Sequence, residues 1–166
     1  MKWIFLLFCL LFLCGCGEKP AQEAMAQDAV AVINLDRAYT ITIGVPRDAT
    51  EVLNLNGSKL YRHEGGEYEI LTKVFFAEDA DRAIEQLMGT KKNDLCVMET
   101  TRFSMPEYRF TWYDASEQAL LRADLVMDKN TCYAVVFSVD EQLGRKYDAL
   151  VTETFSTFGL HFDEGV

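Results

Sequence analysis

Thr131-Cys132-Tyr133-Ala134-Val135-Val136-Phe137-Ser138-Val139 is the stretch that decides the fold. It is almost wholly apolar, rich in β-branched and aromatic residues, and too short for a buried helix, so it reads as a strand central in its sheet. Asp128-Lys129-Asn130 before it is a tight turn. Gln118 to Met127 comes earlier still, with Ala119, Leu121, Ala123, Leu125 and Met127 on one face and Gln118, Arg122 and Asp124 opposite. That period of two marks a second strand, and the two strands form a hairpin. The pattern continues upstream as a meander. Asp114-Ala115-Ser116-Glu117 turns the chain, and Tyr108 to Tyr113 is a strand with Tyr108, Phe110 and Trp112 on one face. Leu95 to Phe103 is another strand, with Met105-Pro106 as its break.

Working outward, the first half supplies more strands. Tyr39-Thr40-Ile41-Thr42-Ile43-Gly44-Val45 alternates and stops at Pro46. Asn56-Gly57 marks a turn. Lys59 to His63 and Tyr68 to Phe76 read as two strands joined through Gly65-Gly66, with Ile70, Thr72, Val74 and Phe76 on one face. Two segments have helical spacing instead. Ala80, Ala83, Ile84, Leu87 and Met88 form a short stripe ended by Gly89. Leu143, Tyr147, Leu150, Val151, Thr154, Phe155 and Phe158 form a longer one closed by Gly159, and Leu160 with Phe162 suggests a short edge strand. Runs of strands with two packing helices predict an α+β fold on an antiparallel sheet.

Three of these segments together resemble the PsbP-like family, which includes the photosynthetic protein PsbP, the bacterial lipoprotein DcrB and a Ran-binding nuclear import factor. They are the opening strand ending at Pro46, the meander ending in Cys132-Tyr133-Ala134-Val135-Val136-Phe137-Ser138, and the last helix leading into Thr154-Phe155-Ser156-Thr157-Phe158-Gly159-Leu160. The likeness spans most of Arg37 to Phe162 and lies in apolar spacing, not in a catalytic signature. Arg47-Asp48 stands where the family typically has an aromatic residue after the proline. The resemblance implies a PsbP-like antiparallel sheet with two helices. It also implies a binding or accessory role, since members of the fold are mostly non-enzymatic.

The N-terminus speaks to location. Met1-Lys2 precedes an uncharged apolar run from Trp3 to Leu13, the layout of a secretory signal and too short for a bilayer span of about 20 residues. The run ends in Leu13-Cys14-Gly15-Cys16, which resembles the lipobox of bacterial lipoproteins. The resemblance implies residues 1–15 as a signal peptide and Cys16 as the lipidated mature N-terminus. Its thiolate is the nucleophile that takes the lipid, and palmitate-type acyl chains would anchor it, because two or more chains hold durably in a membrane. Residues 16–35 read as a flexible polar tether, with a frayed helix from Gln22 to Val32 as the alternative. Residues 36–166 form the PsbP-like domain.

Composition bounds the partners. The 166 residues carry a net charge of −10, which argues against nucleic acid and against charge-driven binding to anionic lipid. At 49% hydrophobic and 12% aromatic the chain can build a core. Cys9 and Cys14 fall in the signal, leaving Cys96 and Cys132. Two cysteines in an exported domain suggest a disulfide, and two buried free thiols are the other reading.

Chemistry is sparse. His63 lies among Glu64, Glu67 and Glu69, which hints at a metal, but strand alternation spreads those side chains over both faces. His161 sits beside acidic residues near the end. No Ser, His and acid set stands out, and no phosphate-binding glycine loop occurs. Neither a cofactor nor a catalytic residue is therefore expected. The binding candidates are Arg109, Trp112 and Tyr113, because exposed Arg, Trp and Tyr anchor interfaces. The sequence thus predicts a lipid-anchored protein on the extracytoplasmic face of the cell membrane. Its role would be non-enzymatic, in contact with an envelope protein or ligand. A small envelope hydrolase and a structural spacer are the alternatives.

Overall fold

The computed structural model describes residues 39–89 and 95–162. The expected signal peptide, Cys16 and tether lie outside the described residues. Seven strands form the main sheet: β2 (Ala49–Leu55), β3 (Ser58–His63), β4 (Tyr68–Phe76), β5 (Val97–Arg102), β6 (Met105–Asp114), β7 (Ala119–Asp128) and β8 (Thr131–Asp140). Their order is β2-β3-β4-β8-β7-β6-β5, and each neighbouring pair is antiparallel. The stretch read as central is β8, flanked by β4 and β7 with three strands on either side. β1 (Tyr39–Thr42) and β9 (Gly159–Phe162) form a separate two-stranded sheet. The helices are α1 (Ala80–Met88) and α2 (Gly144–Ser156), the latter preceded by a 3₁₀ turn at Glu141–Leu143.

Local chemistry accounts for these bounds. Asn56 and Gly57 both have positive φ (47° and 83°), the two-residue hairpin turn that matches the twist of β2 and β3. Asp79 caps α1 by accepting from the Arg82 N–H at 2.8 Å, and Gly89 ends it in the left-handed region at φ 70°. Asp140 accepts from the Gln142 N–H at 2.8 Å and starts the turn into α2.

Each face of the main sheet has its own core. On one, α1 places Ala83 and Ile84 against Phe75, Phe110, Leu125, Met127, Cys132 and Ala134. On the other, α2 and the β1–β9 sheet cover Tyr68, Ile70, Val126, Val135 and Phe137 with Tyr147, Phe155, Phe158, Ile41 and Leu160. The last stripe of the sequence is therefore core, with Phe158 buried just beyond the helix end.

Several boundaries differ from the sequence reading. β1 ends at Thr42 instead of Val45; the Gly44 N–H leaves the ladder and donates to Thr157 Oγ1 at 2.8 Å. β2 was not foreseen. Its register shifts between Glu51 and Leu53, and this edge bulge erases the alternation that would have announced it. Met105-Pro106 does not break a strand but opens β6, while the break is Phe103-Ser104, both at positive φ. Pro106 pairs with Thr101 of β5 and precedes the first β6–β7 pair, Glu107–Val126, so its missing N–H disrupts no ladder on that side. Phe76, on the same face as Ile70, Thr72 and Val74, is exposed as the last residue of β4.

Candidate functional site

Among the described residues, α1 covers only part of its face of the sheet. Nine helical residues span about 14 Å, whereas seven strands span about 29 Å. α1 lies over the rows of Phe75, Cys132 and Met127 and of Ala134 and Leu125. Among the described residues the next rows lie beyond α1. One runs Leu60, Leu71, Val136 across β3, β4 and β8; another runs Arg62, Glu69, Ser138, Leu121, Trp112 from β3 to β6. These residues line a groove of about 620 Å³ closed at one end by Leu87, Met88 and Gly89. That size suits a small organic ligand.

The groove is concave for a reason visible in side-chain size. Its floor on β7 and β8 carries Ala119, Val136 and Ser138, while its walls carry Trp112 on one side and Leu60, Arg62 and Leu71 on the other. The Trp112 ring is held by stacking on Phe110, with centroids 5.5 Å apart and planes at 28°. Arg62 is tied to Glu69, Nε to Oε1 at 2.6 Å, and Lys73 lies with its ammonium 5.4 Å from the Phe75 ring centroid.

The far end of the groove is acidic. Asp114, Glu117 and Asp140 line it, at the turn between β6 and β7 and at the end of β8. Asp114 accepts from the Ser116 hydroxyl at 2.6 Å and the Ser116 N–H at 2.9 Å; the hydroxyl bond is the main cause holding its carboxyl below the usual range. None of the three carboxylates is in an ion pair among the described residues.

The three binding candidates do not form one surface. Trp112 faces the groove, but strand alternation turns Arg109 and Tyr113 to the α2 side. There Arg109 belongs to a buried ion cluster. Glu107 and Asp124, each 1% exposed, sit among Arg102, Arg109 and Arg122. Glu107 accepts from Arg102 Nε at 2.6 Å and Arg109 at 3.0 Å. Asp124 has only looser contacts, 3.4 Å to Arg109 and 3.8 Å to Arg102 and Arg122, and neither of its oxygens accepts a hydrogen bond. Burial pushes its carboxyl up, against the pull of Arg122 and Arg109. Arg102 also donates to the Phe158 carbonyl at 2.7 Å, and the Arg122 guanidinium lies 4.3 Å from the Phe155 ring centroid. These arginines fasten the end of α2 to the sheet. Tyr113 is exposed, and its hydrogen bond to Glu141 raises its pKa.

Cys96 and Cys132 are not bridged; both are free thiols, Cys96 exposed and Cys132 buried. The sheet explains why. Cys132 is in β8 and Cys96 just precedes β5, three strands away or about 14 Å, whereas a disulfide needs Cα atoms within about 7 Å. Burial lifts the Cys132 thiol to about 12, which makes it inert.

His63 gathers partners unlike a catalytic set. Its ring stacks on Tyr68 at 4.9 Å and meets Tyr147 edge-on at 6.2 Å. Nδ1 accepts from the Gly65 and Glu67 N–H groups, and Nε2 lies 3.6 Å from Asp48, which also accepts from the Tyr68 hydroxyl at 2.6 Å. Glu67 binds Lys146 and Tyr147 of α2. No Ser or Cys joins these contacts. The cluster staples the β3–β4 hairpin to α2. Among the described residues no group of three His, Cys, Asp or Glu side chains could hold a metal. His161 is an exposed residue of β9 opposite Thr40.

Sequence reasoning found Trp112 but missed the groove around it. The one available signal was the run of small residues Ala119, Ala123, Ala134 and Ser138 on the two central strands, beside a helix of only nine residues.

No protein-family model and no curated protein matches the sequence. Solved structures do. The solution structure of cyanobacterial PsbP (CyanoP) from Synechocystis sp. PCC 6803 superposes with a TM-score of 0.53 at 8% identity, covering 74% of this chain and 87% of that one. A crystal structure from Bacteroides thetaiotaomicron VPI-5482 gives a TM-score of 0.45 at 13% identity, covering 76% of this chain and 47% of that one. At such identity the likeness to CyanoP concerns architecture alone, and the antiparallel sheet with two helices is a PsbP-like fold.

Proposed function

We propose that this chain is a lipid-anchored protein of the extracytoplasmic membrane face, and that its domain is a non-enzymatic binding module using the groove beside α1. The groove carries the reading: a concave surface of about 620 Å³ with a fixed indole on its wall is more than a spacer needs. The hydrolase alternative gains no support from His63, whose neighbours are Asp48, Tyr68, Tyr147 and backbone amides. The anchor is supported by the Leu13-Cys14-Gly15-Cys16 motif after the apolar run. The described chain enters at Tyr39, whose ring meets Tyr133 on the α2 side.

Two measurements test the parts separately. Intact-mass analysis of the mature wild-type protein should show acyl mass on a chain beginning at Cys16, and Cys16→Ala should accumulate precursor. A mature chain that starts elsewhere without lipid refutes the anchor. For the groove, the neutral probe N-phenyl-1-naphthylamine should gain fluorescence on the folded wild type and lose that gain in Ser138→Leu, which fills the floor. Equal signals from both proteins, or none from either, refute the binding site.

A further inference from the structure

The lining of the groove also constrains what enters it, provided the groove binds at all. Its two ends differ in kind. The end beneath α1 is mostly apolar, with Leu60, Leu71, Leu87 and Met88 beside Lys73 and Gln86. The open end carries Asp114, Glu117 and Asp140. The cations that line the groove do not offset them. Arg62 is matched by Glu69 at 2.6 Å, and Lys73 is buried on β4 in the row of Ala134 and Leu125, toward α1. Lys146 on α2 is bound to Glu67, which also lines the groove. Negative charge is therefore concentrated at the mouth, where none of the three carboxylates is ion-paired among the described residues. Trp112 stands between the apolar end and the acidic end, in the row of Leu121 and Ser138. An indole face attracts a cation as well as apolar carbon.

We infer that the groove binds a small organic cation with an apolar tail, the tail lying along Val136, Leu71 and Leu87 and the ammonium meeting Asp114, Glu117 and Asp140. An anionic amphiphile of the same length is disfavoured, because its head would enter the field of three carboxylates. Binding weakens with salt, since the charges sit at an exposed mouth. Two of the carboxylates already have structural duties that keep them in place: Asp114 Oδ1 holds the Ser116 turn, and Asp140 Oδ1 caps the turn into α2. The charged rim is thus preorganised by the fold.

The readout is built into the molecule. Of the chain's two tryptophans, Trp3 lies in the proposed signal peptide, so Trp112 is the sole indole of a mature protein that begins at Cys16, and Trp3→Phe makes it so in an unprocessed chain. The mature protein is titrated with octylammonium, octanol and octanoate below micelle-forming concentrations while Trp112 emission is followed. Octylammonium should bind at least about fivefold tighter than octanol, and octanoate weaker than either. Asp114→Asn combined with Glu117→Gln and Asp140→Asn keeps the turn and cap acceptors and should abolish the preference for the ammonium while leaving octanol binding intact. Equal binding of all three probes, or a preference for octanoate, overturns the cation assignment and leaves the groove as a binding site. Failure of all three to alter Trp112 emission overturns both.

Discussion

The two faces of one sheet are finished differently. The α2 side is closed by a 13-residue helix, a second small sheet, stacked aromatics and five charged groups in mutual contact. The α1 side is covered by nine helical residues and left open over β8, β7 and the edge of β6. The comparison teaches a division of labour. Both faces carry a buried cluster, but the groove rows beyond α1 include half-buried residues such as Ser138 and Trp112 that should tolerate change. Four expected outcomes put that contrast at risk.

The largest effect should come from Phe155, which is 3% exposed and lies under the Arg122 guanidinium. Phe155→Ala should destabilise the domain by about 3–5 kcal/mol, a large share of a typical 5–15 kcal/mol total. An unshifted thermal melt would mean that α2 is not part of the core.

Next comes the ion cluster, where hydrogen bonding separates two equally buried carboxylates. Glu107 accepts two charge-assisted bonds, and Asp124 accepts none. Glu107→Gln should therefore cost about 3 kcal/mol and Asp124→Asn under about 1. Chemical denaturation of the two variants decides it, and the reverse ranking would contradict the geometry.

A smaller, pH-dependent effect is expected at Glu67. The bond from Lys146 and then that from Tyr147 hold its carboxyl below the ordinary glutamate range. A depressed carboxyl contributes stability above its unfolded pKa and loses it as pH falls through the folded one. At pH values above the ordinary glutamate range the contact should hold, and it should fade only as pH falls below that range. Glu67→Gln should flatten this part of the stability profile relative to wild type. Identical acid limbs in circular-dichroism melts would remove the hairpin staple from the account.

The smallest effect is the contrast in its purest form. Ser138→Leu on the groove floor should move the melt by no more than about 0.5 kcal/mol. Glu153→Ala on the solvent side of α2 should be equally quiet. A strong loss of stability in Ser138→Leu would show that the groove is packed space, not an open site.

Most of the sheet was legible because its strands have two different faces. β4, β6, β7 and β8 alternate or run apolar, and Asn56-Gly57 and Asp128-Lys129-Asn130 mark turns that the structure contains. Both helices were legible from stripes whose ends are fixed locally, by Asp79 and Gly89 for the first and by Asp140 before the second. β2 was not legible, because an edge strand with a bulge need not alternate.

What the sequence determined by itself is what depends on neighbours along the chain: period, turn and cap, and with them an α+β fold class. What only the tertiary structure decided depends on neighbours across strands. The distance between Cys96 and Cys132 is set by how many strands lie between them. Strand period already parts Arg109 from Trp112, but what each meets, an ion cluster on the α2 side for Arg109 and the groove for Trp112, is set by residues of other strands and helices. The groove exists because small residues from β7 and β8 come side by side with Trp112 of β6 and Leu71 of β4, beyond the reach of a short helix. Cavities are made by the juxtaposition of segments distant in sequence, and no local pattern encodes that placement.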